Sequence, residues 1–201
     1  MATRLIDYLR FFGRFVVKPG TTGAVAPSSR YLVAELTREV GIETGRSIAE
    51  LGPGTGVVTE RIRSLLPAEA TFLSVEKDEH WVRLLGQRYP DLDLVHGDAS
   101  ELHRYADARG LEPFDAVICG LPFSIFDEPL QRAILGAIQA SIAPGGHFTT
   151  FAYLQGLKLP AGRRFRRLLE EHFETVELSD VVWKNTPPAV VYRARSASAS
   201  D

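Results

Sequence analysis

The sequence contains one cysteine, Cys119, among 201 residues. That excludes an intramolecular disulfide and any metal site built from several cysteines, and no metal is expected. Long apolar runs are missing as well: no stretch reaches the ~18 residues of a membrane-spanning helix. Asp7, Arg10 and Arg14 break up the apolar residues where a secretory leader needs an unbroken core. An excess of one charge is also lacking. Lys plus Arg number 23 against 25 Asp plus Glu, a net charge of −2. So near-neutral a chain is a poor general nucleic-acid binder, and no nucleic-acid partner is expected. What is present is 45% hydrophobic and 24% charged residues, enough for a solvated surface around a substantial core. The length suits one domain with a short appendage. These features define a cytoplasmic enzyme or binding protein, with no obligate protein partner evident.

The charge is unevenly spread. Arg4, Arg10, Arg14 and Lys18 against Asp7 give residues 1–18 a net +3, which leaves −5 for the remainder. Residues 4–18 read as an amphipathic helix closed by Pro19-Gly20. Its charged arc opposes Leu5, Leu9, Phe12, Val16 and Val17; Phe15 lies near the boundary and Phe11 intrudes on the arc. A wide apolar face, several aromatics and positive charge form the pattern of a helix lying on an anionic membrane surface. Arg4, Arg10, Phe11, Phe12, Arg14, Phe15 and Lys18 are the candidate membrane contacts. The other reading is a helix packed on the protein's own sheet. The chain thus divides into a docking helix and linker (1–21), one α/β domain (22–195) and a small, polar, disordered tail (196–201).

Within the domain, Ser28-Ser29 caps a helix carrying Leu32, Val33, Leu36 and Val40, stopped at Gly41. Short apolar strands then alternate with helices. The strands expected are 47–51, 71–75, 92–95, 114–119 and 147–153; the helices are 57–66, 78–88, 127–142 and 163–172. The helix over 127–142 is expected to stop at Pro144-Gly145-Gly146. Segments 175–183 and 189–195 pair as a closing antiparallel hairpin. Such alternation predicts a mainly parallel seven-stranded sheet covered on both faces by helices.

Chemistry begins at Glu50-Leu51-Gly52-Pro53-Gly54-Thr55-Gly56, which leaves a strand and opens a helix. Glycines permit a tight turn and close backbone approach to a ligand, and the helix start supplies N–H donors. Glu76, with Lys77 beside it, ends the second strand, where a carboxylate accepts ribose hydroxyls. Gly97-Asp98-Ala99 follows the third strand, and Asp98 is placed to meet an adenine amino group. All three lie at the ligand side of an open α/β sheet.

These residues resemble the class I S-adenosylmethionine-dependent methyltransferases. Glu50–Gly56 matches their first motif, Glu76 the ribose acid and Gly97-Asp98-Ala99 the adenine turn. The resemblance implies a Rossmann-like fold, S-adenosyl-L-methionine as cofactor and S-adenosyl-L-homocysteine as product. After the fourth strand comes Gly120-Leu121-Pro122-Phe123. Adenine-N6 methyltransferases and ribosomal RNA adenine dimethylases share its Leu-Pro-Phe but place Asn or Asp before it, to accept from the base amino group. Gly120 offers no such acceptor.

The chain is also similar to the bacterial phospholipid N-methyltransferase family. The likeness runs through Gly23–Arg30, Glu50–Val58, Gly120-Leu121-Pro122 and Val182–Arg193. It implies transfer of methyl groups to the amino group of phosphatidylethanolamine and its mono- and dimethylated derivatives, towards phosphatidylcholine. It implies a peripheral enzyme on the inner face of the cytoplasmic membrane. Gly120, Leu121, Pro122 and Tyr153 are then the residues around the reacting nitrogen, and Ser29, Lys77 and Gly120 join the cofactor set. The growing cation suits aromatic faces, for which Phe123, Tyr153 and Trp183 are candidates, with Phe126 read as core. Arg30, Asn185 and the Arg163-Arg164-x-Arg166-Arg167 cluster are candidates for the headgroup, although the cluster reads first as a solvated helix face. His96, His103 and His147 are base candidates by type alone. The alternatives are a nucleobase methyltransferase and a non-catalytic membrane-binding module with a cofactor fold.

Overall fold

The computed structural model describes residues 28–199. The amphipathic segment 4–18, its membrane-contact residues and the linker before Ser28 lie outside the described residues.

Seven strands form one sheet in the order β3-β2-β1-β4-β5-β7-β6. The strands are β1 Ser47–Leu51, β2 Thr71–Glu76, β3 Asp93–His96, β4 Phe114–Cys119, β5 Ile142–Tyr153, β6 Thr175–Leu178 and β7 Ala189–Arg195. The first five run parallel. β7 lies antiparallel between β5 and β6. The helices are α1 Arg30–Leu36, α2 Val57–Leu65, α3 Glu79–Arg88, α4 Leu102–Asp107, α5 Glu128–Gln139, α6 Leu154–Leu157 and α7 Pro160–His172.

The apolar side chains divide into two cores, one on each sheet face. Leu32 and Leu36 of α1 and Val58 and Ile62 of α2 cover Ile48, Ile118, Phe151 and Val191. Leu102 of α4, Ile134 and Ile138 of α5 and Phe165 and Leu169 of α7 cover Leu51, Val75, Val117, Cys119 and Phe148. Burial of both faces is the main stabilising term, and it explains why β1 and β4 read as continuous apolar runs. Local signals start the helices: the Ser29, Asp78 and Asp127 side chains accept from first-turn N–H groups of α1, α3 and α5.

Four expectations are corrected. The helix expected to reach Gly41 ends at Leu36 with Thr37 as its C-cap, so Val40 lies in the turn beyond it. The helix expected over 127–142 ends at Gln139, and Pro144-Gly145-Gly146 does not terminate it. Those residues form an irregularity inside β5, which pairs Ile142 with Phe114 and resumes at His147 opposite Ala116. Gly145 at φ +71° makes the bend possible. The strand expected over 175–183 stops at Leu178 and meets β7 again only at the Val182–Ala189 bridge. The tail is ordered at its start: Ser196 N–H donates to the Gly146 carbonyl and Gly145 N–H to that of Ala197. The bend in β5 leaves backbone groups that this segment satisfies.

β1 pairs with β2 on one side and β4 on the other, so strand order reverses between β1 and β4. A crevice therefore opens at their carboxyl ends, where the glycine loop and Gly120 both lie.

Candidate active site

Gly52, Gly54 and Gly56 have φ values of +70°, +51° and +79°, a backbone path that L-residues with side chains avoid. The loop is tied down by Gly52 N–H to the Val75 carbonyl and Gly56 N–H to that of Pro53. Pro53 is buried, Thr55 half-buried, and Gly56 caps α2.

Glu76, 8% exposed, locks this loop from the next strand. Its Oε2 accepts from Gly54 N–H at 3.0 Å; its Oε1 accepts from the Lys77 and Asp78 N–H groups, both at 2.8 Å. Burial raises its pKa against those three bonds. Oε1 is fully used by the backbone, whereas Oε2, with one bond, keeps an acceptor site for a further donor.

Asp98 stands across the cleft. Its Oδ1 accepts from the Ser100 N–H and hydroxyl, and its Oδ2 pairs with Lys77 Nζ at 2.6 Å. Burial works to raise its pKa, but the bonds from Lys77 and Ser100 prevail and hold it below the usual carboxylate value. Gly97 before it is required by packing, because a Cβ there would strike the Tyr105 ring and hydroxyl. Ala99 is buried below.

Between these residues lies a cleft of about 270 Å³ lined by Gly52, Val75, Glu76, Lys77, Asp98, Ala99, Leu121, Phe126, Leu130 and Ile134 among others. Polar groups at one rim and an apolar floor suit a nucleoside with a flat base. Phe126 is core, as read from sequence, at 5% exposure, and its edge also lines this cleft, as do Leu130 and Ile134 of α5. The missed signal is the helical spacing of Leu130 and Ile134 in α5, which follows the loop after β4. Arg164, half-buried rather than solvated, holds that loop by donating to the Phe126 carbonyl and Gln131 Oε1.

Glu50 is 1% exposed in the centre of the sheet. Its Oε2 accepts from Thr59 Oγ1 at 2.7 Å and Ser74 Oγ at 3.2 Å, while Oε1 is buried with no partner in the protein. Burial pushes its pKa up to about 7. A buried acceptor without a donor is costly, and it marks a position where a ligand's donor would be satisfied.

Gly120 N–H donates to the Leu51 carbonyl and joins β4 to β1. A Cβ on Gly120 would lie 2.6 Å from the Gly52 carbonyl oxygen. The position where adenine methylases carry Asn or Asp therefore has no room for any side chain. Leu121 packs on Gly52, and Pro122 starts the single turn Phe123–Ile125.

The expected aromatic cage is not assembled. Phe123 is 1% exposed and stacks on Phe165 at 4.2 Å, within the core beneath α7, because an apolar ring after β4 meets the α7 face first. Tyr153 packs against Phe151 on the opposite sheet face, and burial pushes its phenol up to about 12. Trp183 is 71% exposed on the β6–β7 loop. Two further assignments are corrected. Ser29 is the cap of α1 and lies outside the cleft lining, its hydroxyl turned to Leu32 N–H. Asn185 is 3% exposed: its Oδ1 accepts from Ser29 N–H and its Nδ2 donates to the Pro187 carbonyl, so it clamps the hairpin loop to α1. Arg30 is exposed beside Tyr31. The three candidate histidines take other places: His147 starts the regular part of β5, His103 lies in α4, and His96 Nε2 sits 3.2 Å from the Lys77 carbonyl.

A methyltransferase-domain family model matches residues 48–146, which span the glycine loop to the bend in β5. The chain is 30% identical over 197 residues to an ornithine lipid N-methyltransferase of Singulisphaera acidiphila, covering 96% of this chain and 98% of that protein. The chain belongs to the bacterial lipid N-methyltransferase family. Ribosomal RNA small subunit methyltransferase A of Chlorobaculum parvum is 30% identical over 105 residues, 50% of this chain but 35% of that protein. The O-methyltransferase TomG of Streptomyces achromogenes, solved with S-adenosylmethionine, superposes with TM-score 0.67 at 17% identity, over 95% of this chain and 96% of that one. As a class I N-methyltransferase the chain uses S-adenosyl-L-methionine, and its cleft fits that cofactor. The positive-φ loop leaves space above Gly54, where a Cβ would meet nothing within 4 Å. Glu76 and Asp98 place carboxylate oxygens on the cleft rim, where ribose and adenine donors of the cofactor would find acceptors.

Proposed function

We propose that this lipid N-methyltransferase methylates the primary amine of a membrane-lipid headgroup, with phosphatidylethanolamine and its partly methylated derivatives as acceptors. The observation that carries the reading is similarity to a lipid N-methyltransferase over nearly the whole of both chains. Gly120 supports it from the site, because a base amino group would find no side-chain acceptor there. The segment match from Val182 to Arg193 favours phosphatidylethanolamine. Ornithine lipid is the second reading, favoured by the activity in the relative's name.

S-adenosylmethionine supplies the methyl group on a sulfonium that leaves as S-adenosylhomocysteine. The protein's part is to present a neutral nitrogen in line with it. A lipid ammonium has a pKa of about 10 and must first give its proton to water. Desolvation at the cleft mouth lowers that value by disfavouring the cation. With its pKa pushed up to about 12, the Tyr153 phenol stays neutral and is not a phenolate base. Rate then comes from alignment by Gly120, Leu121 and Pro122 and from exclusion of water. Residues 4–18 hold the enzyme on an anionic inner-leaflet surface through their +3 charge and apolar face.

The test is incubation with labelled S-adenosylmethionine and vesicles containing either phosphatidylethanolamine or ornithine lipid, with ribosomal RNA as a third acceptor. Label in mono- and dimethylated phosphatidylethanolamine is expected. Label only in ornithine lipid would transfer the function to the second reading. Label in RNA alone would refute both.

A further inference from the structure

We propose that the β6–β7 loop and the first turn of α1 form a membrane-docking patch, in which Trp183 enters the headgroup layer of an anionic bilayer while Arg30 and Lys184 engage its phosphates. This rests on the aminolipid reading, for it names the surface through which that site meets its substrate.

The first observation is how Trp183 is held. One residue before it, Val182 bridges to Ala189 of β7. Two residues after it, Asn185 is buried and bonded to both Ser29 and Pro187. The loop is therefore anchored on both sides of a side chain that remains 71% exposed. Folding has fixed the backbone of a large apolar ring without burying the ring. Tryptophan suits a medium that is apolar at one end and wet at the other, as a bilayer interface is.

The second observation is charge. The Arg30 guanidinium carbon lies 4.9 Å from the Tyr31 ring centroid, and Lys184 Nζ lies 4.7 Å from the same centroid. Tyr31 is itself exposed. Two cations gathered at one exposed ring add their attraction for an anionic surface, whose phosphates accept from both. Asp180 is the loop's acid, so the patch keeps a positive excess.

The third observation is position. Ala189, the bridge partner of Val182, pairs with Tyr153 at the carboxyl end of β5. The patch thus sits on the same rim of the sheet as Tyr153, Gly120 and the glycine loop. A bilayer touching Trp183 brings headgroups to the edge where the amine must enter.

The chain has two tryptophans, Trp81 and Trp183. In the full-length Trp81→Phe protein, Trp183 alone reports. Phosphatidylcholine vesicles with phosphatidylglycerol are expected to shift its emission to the blue, and brominated acyl chains to quench it. Arg30→Gln with Lys184→Gln should weaken binding to those vesicles by about thirtyfold. S-adenosylmethionine affinity in solution should not change. If Trp81→Phe does not fold, the difference between the unsubstituted protein and Trp183→Phe gives the same signal. Co-sedimentation with an unmoved Trp183 emission overturns the proposal, as does failure to co-sediment. A methylation assay on the same vesicles with phosphatidylethanolamine added as acceptor separates the two ideas. Methylated lipid with Trp183 still in water removes the docking patch alone; quenched Trp183 with no methylated lipid removes the aminolipid reading alone.

Discussion

Single residues set the terms of this site through their backbones and through burial. Glu50 is the clearest case. Burial raises its pKa to about 7 from the ordinary 4.5, so the folded state prefers the proton. The stability this preference gives is full below the unfolded value and is lost as pH rises through the folded one. Apo protein should therefore weaken between roughly pH 4.5 and 7 relative to Glu50→Gln, by up to about 3 kcal/mol, read from denaturant melts across that window. Parallel pH profiles for the two proteins would contradict the assignment. At Gly120 the constraint is steric. Gly120→Ala forces a Cβ against the Gly52 carbonyl and should cost about 1–3 kcal/mol of stability. Its S-adenosylmethionine affinity should fall with it, because the atom that must move belongs to the cofactor loop; calorimetry that finds normal affinity and stability refutes this. Glu76→Ala removes the acceptor of three backbone N–H groups as well as the expected ribose contact. Cofactor binding should weaken by about tenfold or more while the sheet still melts cooperatively.

Among the elements, α1 shows how far a site depends on pairings distant in sequence. It is pinned along the sheet by Asn185 to Ser29 N–H, by Thr149 Oγ1 to the Leu36 carbonyl and by Arg193 to Glu35. Asn185→Ala leaves the Ser29 N–H without its acceptor and should cost about 1–3 kcal/mol. Hydrogen exchange should speed up at Ser29 and in the β6–β7 loop before any other region; unchanged protection there would disprove the clamp. Strands were legible where apolar runs met glycine or proline: 47–51, 114–119 and 189–195 have the bounds that their residues suggest. The cofactor rim was legible because Glu76 and Gly97-Asp98 follow strands directly. What could not be read was anything decided by a partner far along the chain. Phe123 looked like a ligand wall until α7 covered it, and Asn185 looked like a headgroup contact until Ser29 claimed it. Helix α4 went unread because Asp98 served two purposes, capping the turn before that helix while presenting itself as an adenine contact.

For the molecule as a whole, membrane attachment is expected to be divided between the basic N-terminal segment and the Trp183 loop. Deleting residues 1–18 removes a net +3. Sedimentation with anionic vesicles should drop sharply at low salt while S-adenosylmethionine binding persists, and what remains should vanish with Trp183→Ala. Full vesicle binding by the truncated protein would show that the segment is no anchor. The strand order carries a different consequence, for synthesis. β7 is flanked by strands on both sides, yet β5 and β6 precede it in the chain. A ribosome therefore delivers both neighbours before the strand that joins them. Until residues 189–195 emerge, β5 shows a bare row of backbone groups from His147 to Tyr153, beside the apolar rings of Phe148 and Phe151. Such an edge is a template for pairing with another chain. A nascent chain stalled or cleaved after residue 188 would be a nucleus for aggregation, and quality control in the cell has to outlast that interval.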